Sequence, residues 1–163
     1  MIMTIEFLQL LCLIIIANGA PIIIRAVLNN HFDTAIDFAY ELYDRNPLFG
    51  HSKTWRGLIF ALICTSLASW LMGYTATTGL LVAIYAILGD LTSSFIKRRL
   101  GKPVSSMAPL LDQIPESLLP AFMLMNTFGL NMSNVVLLVL IFIISELMLS
   151  HVFYKWGIRK HPY

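Results

Sequence analysis

Polar and apolar positions are sorted into blocks along this chain rather than alternating. Five stretches, roughly 5–28, 57–73, 78–96, 117–130 and 135–154, are almost unbroken runs of apolar residues. A bilayer crossing needs about 20 mostly apolar residues, and a helix that is apolar on every side belongs inside a protein or a membrane. Each stretch is therefore expected to be a transmembrane helix. The fourth is short: it begins inside the protein, borrows Ile114 to Glu116, or thins the bilayer locally. The expected fold is a single all-α integral membrane domain of about five transmembrane helices, with polar loops at 29–56 and 97–116. The first run is interrupted by Asn18, Gly19 and Pro21; proline inside a helix removes a hydrogen bond and kinks it. The break reads as a simple kink or as a substrate-facing feature.

Composition agrees. The 163 residues are 58% hydrophobic and 12% charged, against about 25% charged in soluble domains, and the mean hydropathy is +0.76. The net charge of +2 says little; its distribution says more. With five crossings, one side collects Arg25, Arg45, Lys53, Arg56, Lys97, Arg98, Arg99, Lys102, Lys155, Arg159 and Lys160, all 11 cations of the chain. The segments 1–4, 74–77 and 131–134 on the other side hold none. Cytoplasmic loops are enriched in Lys and Arg, so the amino terminus is expected outside and the carboxyl terminus in the cytoplasm. The first run lacks a basic flank before it and carries Glu6, so a span is expected there rather than a cleaved leader. Cys12 and Cys64 lie in apolar runs and are read as small buried residues without a disulfide framework.

Two polar segments remain. In 29–56, Phe32, Ile36, Tyr40 and Tyr43 recur at near-helical spacing beside Asp33, Asp37, Glu41 and Asp44, which raises an amphipathic interfacial helix. Such helices usually carry basic polar faces, so these acids are expected to face water or a bound cation. Lys53, Thr54 and Arg56 then place two cations and a hydroxyl at the start of the second run. That arrangement suits phosphate oxygens as well as simple positive-inside anchoring, and it is not a Walker A loop. The second segment, Gly89 to Ser117, puts four cations between Asp90 and the acids Asp112 and Glu116. Asp90 lies inside a run, where an ionisable residue is a functional candidate by default; a structural pair with Lys97 or Arg98 is the alternative. Asp90, Ser94 and Lys97 fall on one helix face. Glu146, deep in the last run, is expected to face the bundle interior.

KTWRG (53–57), GDL…SSFIKRRLGKP (89–103) and PLLDQIPE (109–116) together resemble the CTP-dependent lipid-phosphate cytidylyltransferases. The nearest resemblance is to the short CDP-archaeol synthases, five-span enzymes, and it extends to IDF…YDRNPLFGHSKTWRG and the Asn-containing end of the first run. The longer phosphatidate cytidylyltransferases share K-T-W-x-G and G-D-x-x-x-S-x-x-K-R in the same order. Their Lys-Asp pair and His-Gly-Gly are absent here, and Ser93 stands where a Glu is common. In the archaeol branch a second acid follows the Asp-Gln pair by two residues; Pro115 stands there, and Glu116 is the available substitute.

The resemblance implies transfer of CMP from CTP to a membrane lipid phosphate such as 2,3-di-O-geranylgeranylglyceryl phosphate, with pyrophosphate released. The partners implied are CTP, the lipid phosphate and the bilayer, with no nucleic acid. It implies Mg2+ held by Asp90, Asp112 and Glu116. Lys97, Arg98 and Lys53 become catalytic cations, and Thr54, Arg56, Ser94, Arg99 and Asn18 substrate-binding positions. Asp37 and Asp44 match family positions without an assignable role. A phosphatidate acceptor is the alternative within the class, and a non-catalytic lipid-binding or transport protein the alternative outside it. No inverted repeat of the transporter kind is visible.

Overall fold

Five helices carry the regular structure of the computed structural model, which describes residues 4–29, 31–104, 106, 108 and 110–157. They are α1 (Ile5–Leu28), α2 (Trp55–Leu71), α3 (Ala76–Arg99), α4 (Gln113–Met123) and α5 (Met132–Lys155). The tail cations Arg159 and Lys160 and the motif residue Pro109 lie outside the described residues. Thr4, Thr54, Thr75 and Asn131 cap α1, α2, α3 and α5, each side chain accepting a backbone N–H of the first turn. Such caps satisfy donors that a helix start otherwise leaves open. Asp112 holds the same position before α4 but makes no cap bond there, because its carboxylate is engaged elsewhere.

Helices α1, α3 and α5 are each 24 residues, long and apolar enough to cross a membrane. At 1.5 Å per residue each reaches about 36 Å. Helix α2 is apolar over 17 residues, and α4 has only 11. The chain is an all-helical membrane protein. The fourth apolar run differs from the expected helix at 117–130. Its helix begins earlier, at Gln113, and stops at Met123. Residues beyond form a turn closed by Gly129 N–H to the Asn126 carbonyl and Leu130 N–H to the Met125 carbonyl, with Gly129 at φ 60°.

Helix α1 packs against all four others. Its inward side chains Phe7, Leu10, Leu13 and Ile14 meet Val82 of α3, Leu138 and Phe142 of α5, and Phe128. Small residues set the closest approaches, as is usual between membrane helices: Ala17 of α1 packs with Ala83 and Ala86 of α3. Gln9, a polar residue on α1, is satisfied by the α2–α3 turn; its amide donates to the Met72 carbonyl (3.2 Å) and it accepts from the Tyr74 hydroxyl (3.1 Å). Outward positions such as Ile59, Ile63, Leu67, Val136, Leu140 and Ile144 are apolar and half or more exposed, the pattern of a surface facing lipid.

The interfacial helix anticipated between 29 and 56 does not form. The segment folds as turns with two isolated antiparallel bridges, Ala35–Thr54 and Glu41–Pro47. Phe32, Phe38, Ala39 and Arg45 sit at φ between 48° and 60°, which no α-helix accommodates. The acids compete for the backbone instead: Asp44 Oδ1 accepts Asn46 N–H (3.2 Å) and Asp37 accepts three N–H groups. Short acidic side chains that bond nearby N–H groups favour turns over helix.

Candidate active site

Every cation of the described chain lies at one end of the bundle, where α1, α3 and α5 finish and α2 and α4 begin. Lys53 is held there by its own backbone. Ile36 N–H donates to the Lys53 carbonyl (2.8 Å), Lys53 N–H donates to the Gly50 carbonyl (3.1 Å), and Trp55 N–H donates to the Thr34 carbonyl (3.1 Å). Asp37 locks the turn leading in. Its Oδ2 accepts Phe49 N–H and Gly50 N–H, both at 2.8 Å, and its Oδ1 accepts Ala39 N–H at 3.1 Å. Burial pushes this carboxyl up, but the three N–H groups more than offset it and hold it below the usual carboxylate range. The sequence left Asp37 without a role; the structure makes it a loop latch.

Because its folded value is depressed, Asp37 contributes stability that is present above the unfolded carboxylate value. That contribution is lost as pH falls through the folded value. Asp37→Asn must turn an N–H2 toward backbone donors. It is expected to loosen segment 37–50 by about 1–3 kcal/mol, read as faster amide exchange there at neutral pH. Unchanged exchange would show that the bridges alone hold the loop.

From this platform the Lys53 ammonium meets both carboxylate oxygens of Asp90, which α3 presents about two turns before its end. Burial works against the Lys53 charge, and Asp90 outweighs it, so the ammonium is held above its usual range. A lysine poised as a general base needs the opposite shift. The partner of Asp90 is thus Lys53, 37 residues away, rather than Lys97 or Arg98. Lys97 pairs with Asp112 Oδ1 (2.7 Å) and donates to the Ser106 carbonyl (3.2 Å), while Asp112 Oδ2 accepts Ala108 N–H (3.0 Å).

Glu116, on the first turn of α4 and 6% exposed, lies within hydrogen-bonding reach of the Asp90 carboxylate. Gly89 allows this. A Cβ there would stand 2.2 Å from the Pro115 carbonyl oxygen and 2.7 Å from Glu116 N, so the two backbones touch only because the side chain is missing. Arg98 is 3% exposed. It donates to the Lys102 carbonyl (2.6 Å), its Nε has no hydrogen-bond partner, and it forms no ion pair among the described residues. Ser94 is buried beside it on α3.

Lys53, Asp90, Glu116, Lys97, Asp112 and Arg98 are therefore gathered in one charged cluster. The other anticipated residues sit apart. Arg56 donates to the His31 carbonyl and to Asp33 Oδ1 (2.7 Å). Arg99 donates to Asp44 Oδ1 (2.6 Å) and to the carbonyls of Asn46 (3.2 Å) and Pro47 (2.7 Å), and lies over the Phe95 ring. Both guanidinium groups clamp the 31–47 segment. Thr54 caps α2. The Asn18 amide donates to the Ile14 carbonyl of its own helix (3.0 Å).

Mg2+ takes oxygen ligands and usually needs only one or two carboxylates besides substrate phosphates. The adjoining Asp90 and Glu116 carboxylates fit that requirement. Among the described residues no group of three or more acidic, His or Cys side chains is assembled as a metal cage; Asp112 stands with Lys97 instead. Neither Gly89 nor Asp37 was singled out by sequence reasoning as a site-forming residue. The available signal for Gly89 was a glycine directly preceding an acid inside an apolar run.

The family model described as CarS-like, CDP-archaeol synthase, matches residues 2–163. A CDP-archaeol synthase of Hyperthermus butylicus is 37% identical over 60% of this chain and 59% of its own length. One from Sulfolobus acidocaldarius is 29% identical over 91% of both. A solved structure described as an intramembrane enzyme for archaeal membrane lipids biosynthesis superposes with TM-score 0.73 at 27% identity, covering 87% of this chain and 90% of that one. The chain spans under two thirds of the Hyperthermus relative's length.

Proposed function

The chain belongs to the CarS-like CDP-archaeol synthase family, and from that premise we propose that it transfers CMP from CTP to a membrane lipid phosphate, giving a CDP-lipid and pyrophosphate. The observation that carries the proposal is the cluster itself. Two lysines, Lys53 from the loop before α2 and Lys97 from the last turn of α3, gather with Arg98 around the acids Asp90, Glu116 and Asp112, at one end of an apolar bundle. The lipid acceptor is a dialkylglycerol phosphate of the 2,3-di-O-geranylgeranylglyceryl type. By the distribution of cations, the amino terminus is outside, and the site and carboxyl terminus face the cytoplasm.

In this reaction an oxygen of the lipid phosphate attacks the α-phosphorus of CTP. A new P–O bond forms, the bond from the α-phosphorus to the bridging oxygen breaks, and its electron pair leaves with pyrophosphate. The attacking oxygen is already anionic, so no strong base is required. The obstacle is repulsion between two anions. Lys53, Lys97 and Arg98 supply fixed positive charge where negative charge accumulates, which is the dominant form of catalysis in phosphoryl transfer. Before substrate arrives, Asp90 and Asp112 hold the two ammonium groups in place. Mg2+ held by Asp90 and Glu116, with Asp112 near, would neutralise phosphate oxygens and activate the pyrophosphate leaving group.

The test is transfer of α-labelled CMP into solvent-extractable lipid by the purified protein in lipid, with equimolar pyrophosphate. Absence of lipid-phosphate-dependent and Mg2+-dependent transfer would overturn the reading. Competition between prenyl-ether and acyl-ester lipid phosphates decides the acceptor. Lys53→Ala is expected to raise the KM for CTP by about 10–100-fold, the loss of a charge-assisted hydrogen bond of about 1.5–3 kcal/mol, with less effect on the lipid KM. An unchanged nucleotide KM would leave Lys53 a topological anchor.

A further inference from the structure

Between α1, α2 and α5 lies a cavity of about 340 Å³, at the same end of the bundle as the charged cluster. Its wall is nearly all hydrocarbon: Ile15, Ile16 and Ile22 from α1, Phe60 from α2, Phe142 and Phe153 from α5. No cationic side chain lines it, so it offers a phosphate nothing. Asn18, which borders it, turns its amide back to the Ile14 carbonyl. Glu146 of α5 borders it as well, and its charge acts on Glu116 of the cluster.

Gly19 is the informative residue. The other glycines inside helices are accounted for by crowding: a Cβ at Gly57 would meet Pro21 at 3.1 Å, at Gly79 the Thr65 carbonyl at 2.4 Å, and at Gly89 the Pro115 carbonyl at 2.2 Å. A Cβ at Gly19 would meet nothing within 4 Å. Its backbone is ordinary helix, where glycine costs about 0.5–1 kcal/mol relative to alanine. Neither packing nor conformation requires it, and it faces the cavity. What remains is the space in front of it.

We propose that this cavity receives part of one hydrocarbon chain of the lipid-phosphate acceptor, and that Gly19 sets how much chain fits. The inference rests on the cytidylyltransferase reading for the identity of the ligand. At this depth, with an apolar wall, the available occupant is a lipid chain. The volume is at the small end of the about 300–1,000 Å³ typical of ligand cavities, so it holds a segment of one chain and leaves the second to the bilayer. The phosphate stays with Lys53, Lys97 and Arg98, and the chain runs past Glu146 into the cavity.

Two measurements test this. With dialkylglycerol phosphates of graded chain length, Gly19→Leu is expected to raise the KM for long chains about tenfold or more while short-chain and CTP values stay within about twofold. Cys64→Leu, which fills the same cavity from α2, should act in the same direction and covers the case in which Gly19→Leu does not fold. KM values that rise equally for all chain lengths, or not at all, in both variants would overturn the proposal. The second measurement needs no turnover. A dialkylglycerol phosphate with a diazirine partway along one chain should label residues 15–23, 60–64 and 142–153 in the wild type and lose that labelling in Gly19→Leu. Labelling confined to other helices would refute the cavity's role. A wild type that makes no CDP-lipid yet labels this cavity would instead refute the proposed reaction alone.

Discussion

Asp90→Asn is expected to reduce turnover about a thousand-fold, equivalent to about 4 kcal/mol of lost transition-state stabilisation, while leaving a folded protein in the membrane. The substitution keeps the shape of the side chain and removes its charge. Two things depend on that charge: the bidentate contact that aims the Lys53 ammonium, and the carboxylate pair that Asp90 makes with Glu116. Removing one member of a buried ion pair is often severely destabilising because the other is stranded. Here Glu116 stands beside the vacated place, and the Lys53 and Asp90 side chains keep 23% and 27% exposure, so the penalty is shared. Thermal unfolding in detergent should show a modest loss, and single-turnover CMP transfer a large one. Near-wild-type transfer would remove Asp90 from the chemistry and reduce it to a partner for Lys53.

Gly89→Ala should damage the same site through the backbone. A methyl group 2.2 Å from the Pro115 carbonyl oxygen must retreat to a normal contact of about 3.5 Å, so α3 and α4 part by about 1 Å. Asp90 is the next residue on one helix and Glu116 the next on the other, so the displacement falls between the two carboxylates. A misplacement of about 1 Å in a reacting constellation costs about 100-fold in rate, and overpacking adds about 1–3 kcal/mol of destabilisation. Gly79→Ala separates the two effects. Its Cβ would meet the Thr65 carbonyl at 2.4 Å, at the far end of α3 from the cluster. It should destabilise to a similar degree and leave the turnover of folded protein intact. Equal turnover in Gly89→Ala and wild type would mean that the α3–α4 contact does not govern the site.

The two substitutions expose different kinds of information in the chain. That Asp90, Lys53, Lys97, Arg98, Asp112 and Glu116 belong together was legible from order and charge, because few charges occur in an apolar chain and those few recur in the motifs of one family. Which carboxylate meets which cation was not legible. Helical spacing put Lys97 on the face of Asp90, yet Lys97 turns to Asp112 and Lys53 crosses from another loop to Asp90. Pairing within a helix follows from spacing; pairing between segments depends on how the backbones pack, which no periodicity encodes.

The same limit explains the first polar loop. Its aromatic residues recur at near-helical spacing, and a helix was a fair expectation from them. The carboxylate of Asp37 reaches N–H groups 12 and 13 residues away, and Arg56 and Arg99 tie the segment to α2 and α3. Those long-range contacts outweigh local spacing. They also tie Arg56 and Arg99 to the loop that leads to Lys53.

By itself, the sequence determined that this is a helical membrane protein with its cations at one end, because apolar runs of bilayer length admit little else and charge is costly anywhere but the ends. Its motifs also located the two segments that carry the charged cluster. Only the tertiary structure decided that Asp90 stands against Glu116, that Gly89 permits their approach, and that a hydrocarbon-lined cavity beside Gly19 opens toward the same end of the bundle. Contact between helices is set by which side chains are small enough to let two backbones meet. The opening feature of the chain, its separation into apolar runs and charged joints, places the charged cluster at one end of the bundle; close packing of α3 against α4 brings its acids together.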